Sequence, residues 1–172
     1  MYCFYLQNQN TMMITQQIAR QFREVHFGKN WTSSNLKDTL KGITWQQANV
    51  KIYELNSIVA LVFHINYYVK AILKVLQEGI LDASDKYSFD HPKIESQKDW
   101  DKLLTELWSD AYIFADLVED FPENKLNAIF SEEKYANFYR NFHGVIEHTH
   151  YHLGQIVVIK KIILQQKTSS KS

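Results

Sequence analysis

The sequence predicts an all-α protein in which four long amphipathic helices form a four-helix bundle. Apolar residues recur at helical spacing along nearly the whole chain. Only 5 Gly and 2 Pro occur in 172 residues, so there are few turns and few helix breakers. Two long polar connections separate the long segments, as in bundles with crossover connections. An irregular all-α domain is the alternative.

The first helix is predicted over residues 12–27, with Thr11 as its N-cap. Its apolar stripe includes Ile18 and Phe22, and Gly28 ends it. A short helical piece carrying Leu36 and Leu40 follows and stops at Gly42.

The second long helix is predicted over 56–77, before Gly79, and the polar connection 79–97 then forms a crossover or a lid. Ser96 and Asp99 resemble a capping box at the start of the third long helix, which Pro122 stops. The last helix is predicted over 135–166. The expected organisation is a flexible extension over 1–11, one domain over 12–166 and a disordered tail over 167–172.

Composition excludes several classes of protein. Lys plus Arg and Asp plus Glu each total 19, so the net charge is zero and argues against binding to nucleic acid or to an anionic membrane. The lone Cys3 excludes an internal disulfide and a cysteine-based zinc site. No run of 18 apolar residues is evident, and no signal peptide is recognised. We therefore expect a cytoplasmic protein with no membrane association.

Four of the 7 histidines lie between positions 143 and 152. Residues four apart share a helix face, so His148 and His152 continue an apolar stripe and are predicted to face the core. By the same geometry, His143 and His150 fall on a polar face and are predicted to face water. His64 is a polar residue in the middle of the apolar face of the second long helix.

Two inward histidines one turn apart can bind one metal ion, and His64 on a facing helix would complete a three-histidine site. Such a site leaves a coordination position for water or substrate. Tyr68, one turn from His64, could donate to a bound ligand, and Gln155 could support the histidines from behind. The alternative is that the histidines are core residues without a metal. A zinc-protease motif is excluded because position 149 is Thr, and the di-metal motif of ferritin-like bundles is also missing.

Two segments carry a family resemblance. The run from Asn56 to His64 resembles the "Ser-Ile-…-His" helix of the DinB-like (DinB/YfiT) superfamily. The run from Gly144 to Gln155, with His148 and His152, resembles its closing "His-x-x-x-His-x-Gly-Gln" helix. The spacing fits as well, and the resemblance covers about residues 12–165.

The resemblance implies an up-down-down-up four-helix bundle with a divalent zinc, nickel or iron ion on His64, His148 and His152. It also implies a homodimer. Some members are transferases or isomerases that use a low-molecular-weight thiol as cosubstrate, and others are described as metal-dependent hydrolases. The leading hypothesis is therefore a metal-dependent thiol S-transferase or hydrolase that acts on a small molecule. The alternatives are a non-catalytic binding bundle and a stress-response scaffold with a vestigial histidine cluster. No general base is identified.

Overall fold

A computed structural model describes the backbone of residues 12–169 and the side chains of residues 12–166. Over this range the chain is all-helical, with no strand, and four of its six α-helices are long. The helices are α1 (Ile14–Phe27), α2 (Leu36–Leu40), α3 (Trp45–Ala48), α4 (Ile58–Glu78), α5 (Gln97–Glu119) and α6 (Phe138–Ser169). The predicted all-α class is confirmed.

The ends of α4 follow directly from the sequence. The Ser57 hydroxyl accepts a hydrogen bond from the Ala60 N–H at 3.2 Å, which satisfies one free donor of the first turn. Gly79 ends the helix in the left-handed conformation, with a φ of 72°, where glycine carries no steric penalty. The helix thus begins and ends within two residues of the predicted bounds.

The other long helices also lie close to their predicted positions. At the start of α5, the Ser96 hydroxyl accepts from the Asp99 N–H at 3.2 Å, as the capping motif predicts. The first helix begins at Ile14 with Met13 as its N-cap, so the predicted cap Thr11 is wrong. The predicted extension 1–11 lies outside the described residues. The last helix runs to Ser169 rather than 166, and the remainder of the predicted tail also lies outside the described residues.

The sequence does not predict α3, which is one turn long and begins after Thr44. This short helix packs against α4 and α5, which lie elsewhere in the chain. Local periodicity over a single turn is therefore too weak to predict it. The two long connections contain short 3₁₀ turns at Asp85–Tyr87, Glu123–Lys125 and Glu133–Tyr135.

Helix α4 bears on the expectation that no segment of the chain is long and apolar enough to cross a membrane. An 18-residue window of Ile58–Glu78 has a mean hydropathy of 1.5, so this helix is apolar enough to cross a membrane. However, 72% of that window is buried inside the protein. A helix that is apolar around most of its circumference is also what a buried core position requires.

Each of the four long helices packs against two others. Helices α1 and α4 both contact α5 and α6. Two hydrophobic clusters lie one after the other along this assembly. Helices α4 and α5 run from the first cluster, which contains Leu61 and Leu107, to the second, which contains Val69 and Phe114. Helices α1 and α6 run the opposite way, and polar side chains of α4 and α6 meet where the two clusters join.

Candidate metal centre

Three histidines meet between α4 and α6. His64 lies in the second turn of α4, and His148 and His152 lie one turn apart on α6. One nitrogen from each ring lies within 4.8 Å of the corresponding nitrogens of the other two. The structure therefore brings together the three histidines that helical geometry selects, and they could bind a metal ion.

The tautomer of His64 follows from its backbone partner. Its Nδ1 lies 3.2 Å from the Ser88 carbonyl oxygen, which can only accept, so Nδ1 carries the hydrogen. The Nε2 lone pair then points to the cluster, where the Nε2 of His148 is 3.1 Å away. Phe89 stacks on the same ring, with centroids 3.8 Å apart, and limits its rotation.

His152 is oriented in the same way by Gln155. Its Nδ1 donates to the Gln155 Oε1 at 3.0 Å, which leaves Nε2 as the nitrogen free to bind. The ring meets that of His148 nearly edge-on, with centroids 4.5 Å apart. Gln155 thus occupies the position behind a histidine that the sequence predicts for it.

His148 differs from the other two. Its Nδ1 is buried and has no hydrogen-bond partner among the described residues. Because His64 Nε2 is an acceptor, His148 Nε2 donates in the 3.1 Å contact, and its Nδ1 then holds an unpaired lone pair. A cation at the cluster would change the tautomer of His148, because a ring that binds the ion through Nε2 carries its hydrogen on Nδ1.

Burial keeps the cluster uncharged. Desolvation, together with the neighbouring His152 and His64, lowers the pKa of His148 to about 4. Desolvation also lowers the pKa of His64 and of His152 below the usual value of a histidine. All three imidazoles are therefore neutral at neutral pH, which is the form that binds metals.

Tyr68 lies against the cluster, with its ring centroid 4.8 Å from that of His148. Its hydroxyl donates to the Asp85 carboxylate at 2.6 Å, and burial together with this acid raises the pKa of Tyr68 to about 12. The only phenolic hydrogen is thus already used. Tyr68 therefore links α4 to the crossover through this hydrogen bond, and it is not placed to donate to a ligand as the sequence predicts.

The crossover between α4 and α5 supplies contacts that the sequence does not reveal. Asp85, Ser88 and Phe89 all reach the cluster or Tyr68 from this segment. The Tyr67 hydroxyl binds both the N–H and the carbonyl of Ser84, at 2.8 and 3.0 Å. The only sequence signal was the unusual length of the connection, because an aperiodic segment does not indicate which of its residues turn inward.

The outward histidines need a correction. His143 and His150 are half-buried instead of facing water freely, and burial lowers the pKa of both. His143 packs on Tyr139, with ring centroids 4.5 Å apart. Neither residue belongs to the cluster of three. Helix geometry separates the two faces correctly but does not give the depth at which neighbouring helices cover them.

Comparisons of the chain with protein-family models, with curated proteins and with solved structures returned no significant match.

Proposed function

We propose that this protein is a metal-dependent enzyme that binds one divalent ion through His64, His148 and His152 and acts on a small molecule. The observation that carries the proposal is the convergence of three neutral imidazoles from two facing helices, with His64 and His152 buried and His148 half-buried. Isolated buried histidines usually satisfy their nitrogens separately, whereas here the nitrogens face one another. The resemblance to the DinB-like superfamily supports the same three ligands.

We also propose that the four long helices form a four-helix bundle. The opposite directions of α1 and α6 relative to α4 and α5 are those of an up-down-down-up four-helix bundle. In bundles, metal sites are built from inward side chains on facing helices. The position of the histidines between two hydrophobic clusters fits that pattern, because the side chains packed around the rings limit their movement.

The donor set limits the ion. Three imidazoles suit zinc, nickel or iron, and they suit magnesium and calcium poorly, because those ions prefer oxygen ligands. When bound with an open position, such an ion lowers the pKa of a water or thiol and polarises a substrate. The chain's own contribution is to hold two of the rings in the correct tautomer, through Ser88 and Gln155.

Two reactions fit this centre. One is S-transfer from a low-molecular-weight thiol, and the other is hydrolysis of a small molecule. Their support is the resemblance together with a three-histidine site that leaves a coordination position free. We further propose a cytoplasmic homodimer that does not bind nucleic acid, in line with the zero net charge. Light scattering after gel filtration tests the dimer, and a salt-dependent gel shift with duplex DNA would contradict the last point.

A non-catalytic helical bundle is the second candidate. It is favoured by the 3.1 Å contact between the Nε2 atoms of His64 and His148, because this hydrogen bond pairs two of the three rings without any ion. In that case the cluster is a set of packed side chains, and the protein binds a ligand or partner elsewhere.

Metal analysis separates the two candidates. Untagged protein is purified without chelator or added metal, and its content is measured by elemental mass spectrometry before and after reconstitution. We expect about one zinc, nickel or iron ion per chain. His148→Ala should lose the ion, while the control His143→Ala, on the same helix, should keep it. Metal-free wild-type protein that regains none on reconstitution would overturn the enzyme proposal in favour of the non-catalytic bundle.

A further inference from the structure

A cavity of about 440 Å³ opens beside His148. It is bounded by α4, by the crossover after α4, by the first turns of α6 and by the connection before α6. Its volume lies within the range of about 300–1,000 Å³ that is typical of small-molecule sites. Hydrocarbon forms much of its wall, from Ile72, Leu81, Phe130 and Val145.

Two cations line the same cavity. Arg140 lies on α6, eight residues before His148, which places it about 12 Å away along the helix axis. Lys134 comes from the connection just before α6. Asp85 is the acidic residue among the described lining. It comes from the crossover and accepts a hydrogen bond from the Tyr68 hydroxyl. The cavity therefore has a histidine end and a cationic end, with an apolar wall in between.

Both cations hold partners that a ligand can replace. Arg140 pairs with Glu147 at 3.2 Å, and Lys134 pairs with Glu132 at 3.1 Å. All four side chains are largely exposed, and exposed ion pairs contribute little to stability. A carboxylate that arrives with an apolar group gains the burial of that group in addition to the exchange of partners.

Gly144 keeps the cavity open. It lies in the helical backbone of α6, and a Cβ added there would meet only the Arg140 Nη1, at 3.9 Å. Glycine inside a helix is destabilising relative to alanine, and local packing does not require it here. Gly154, ten residues further along α6, also has open space around its Cα and lines a different groove.

We infer that this cavity is the substrate chamber of the histidine site and takes a small molecule with an apolar body and a carboxylate. Arg140 and Lys134 bind the carboxylate, and the opposite end of the molecule reaches His148. The inference rests on the proposed function for its reactive end, while the recognition of the carboxylate depends only on the chamber.

The test compares two matched probes, 4-phenylbutyrate and its uncharged amide, by calorimetric titration. Each is titrated into the wild-type protein, once with chelator and once loaded with zinc. Gly144→Leu places a side chain in the chamber, and Gly154→Leu is the control on the same helix. Arg140→Gln removes one cation from an exposed position, so it is informative even if Gly144→Leu does not fold, which circular dichroism reveals.

We expect the carboxylate to bind about tenfold more tightly than the amide, both with and without zinc. Gly144→Leu should abolish binding of both probes, Gly154→Leu should preserve it, and Arg140→Gln should remove most of the preference. Equal binding of the two probes, or unchanged binding in folded Gly144→Leu, would overturn the inference. A preference that appears only with zinc would also overturn it, because the carboxylate would then be binding the ion.

The two proposals can fail separately. Carboxylate selectivity in a protein that binds no metal would support the chamber and contradict the metal centre. One ion per chain without any selectivity would support the metal centre and contradict the chamber.

Discussion

His26 is buried, as are His64 and His152 of the three-histidine cluster, yet the two regions differ in the chemistry that they can support. His26 is 0% exposed on α1, with its ring centroid 4.2 Å from that of Phe22. Its Nδ1 donates to the Phe22 carbonyl oxygen at 2.9 Å, and its Nε2 has no partner within the described part of the chain. In the cluster, three rings direct nitrogens at one another from two helices. Burial alone therefore does not indicate a candidate metal site, whereas the convergence of three ring nitrogens does.

The largest expected difference between the two regions is their response to zinc. At a free concentration about 1,000 times the dissociation constant, a ligand of the folded state adds about 4 kcal/mol of stability. For a chain of this size that corresponds to a rise in melting temperature of about 10 °C. We expect this rise in wild-type protein and in His26→Leu. His64→Ala should lose it, as measured by differential scanning fluorimetry, and an equal rise in His64→Ala would exclude His64 as a ligand.

The second difference is acid sensitivity. Burial lowers the pKa of His26 from 6.5 to about 4, so the unfolded chain binds a proton across this range while the folded protein does not. Stability therefore falls as the pH falls from about 6.5 to about 4, and this residue alone accounts for up to about 3 kcal/mol of the loss.

Urea unfolding of metal-free protein at several pH values checks this sign. His26→Leu should lose less stability than the wild type between pH 7 and pH 4, while the cluster histidines keep their own share of the acid sensitivity. Parallel pH profiles for the two proteins would show that His26 is not held neutral by burial.

A smaller effect is expected behind the cluster. Gln155→Leu removes the acceptor for the His152 Nδ1 hydrogen, and the loss of such a support weakens metal affinity about 10- to 100-fold. Gln155→Glu retains an acceptor and should keep the affinity near that of the wild type. Competition with a fluorescent zinc chelator measures both variants. Wild-type affinity in Gln155→Leu would mean that the amide does not orient the ring.

The smallest effect concerns the crossover. Tyr68→Phe removes the hydrogen bond to Asp85 and should lower the free energy of unfolding by about 1 kcal/mol, because the pair is partly exposed. The metal stoichiometry should stay the same, since the phenol fastens the loop instead of binding the ion. Urea unfolding and metal analysis of the same preparation test both statements, and loss of the ion would assign Tyr68 a direct role.

The positions of the long helices could be predicted because their signals are local. Ser96 caps α5 and Gly79 ends α4, as the sequence predicts. The pairing of His148 with His152 could be predicted for the same reason, since one helical turn separates them. The exposure of His143 and His150 could not, because it depends on neighbouring helices.

The sequence by itself determined the all-helical class, the ends of α4 and α5, and the inward face that carries His64, His148 and His152. Only the tertiary structure decided that Ser88 and Phe89 cover His64, that Asp85 accepts a hydrogen bond from Tyr68, and that a chamber opens beside His148. The physical reason is the distance along the chain over which each kind of interaction acts. Periodicity and capping act within one or two turns, whereas a crossover is positioned by contacts between residues far apart in the chain, which leave no repeating pattern in the sequence.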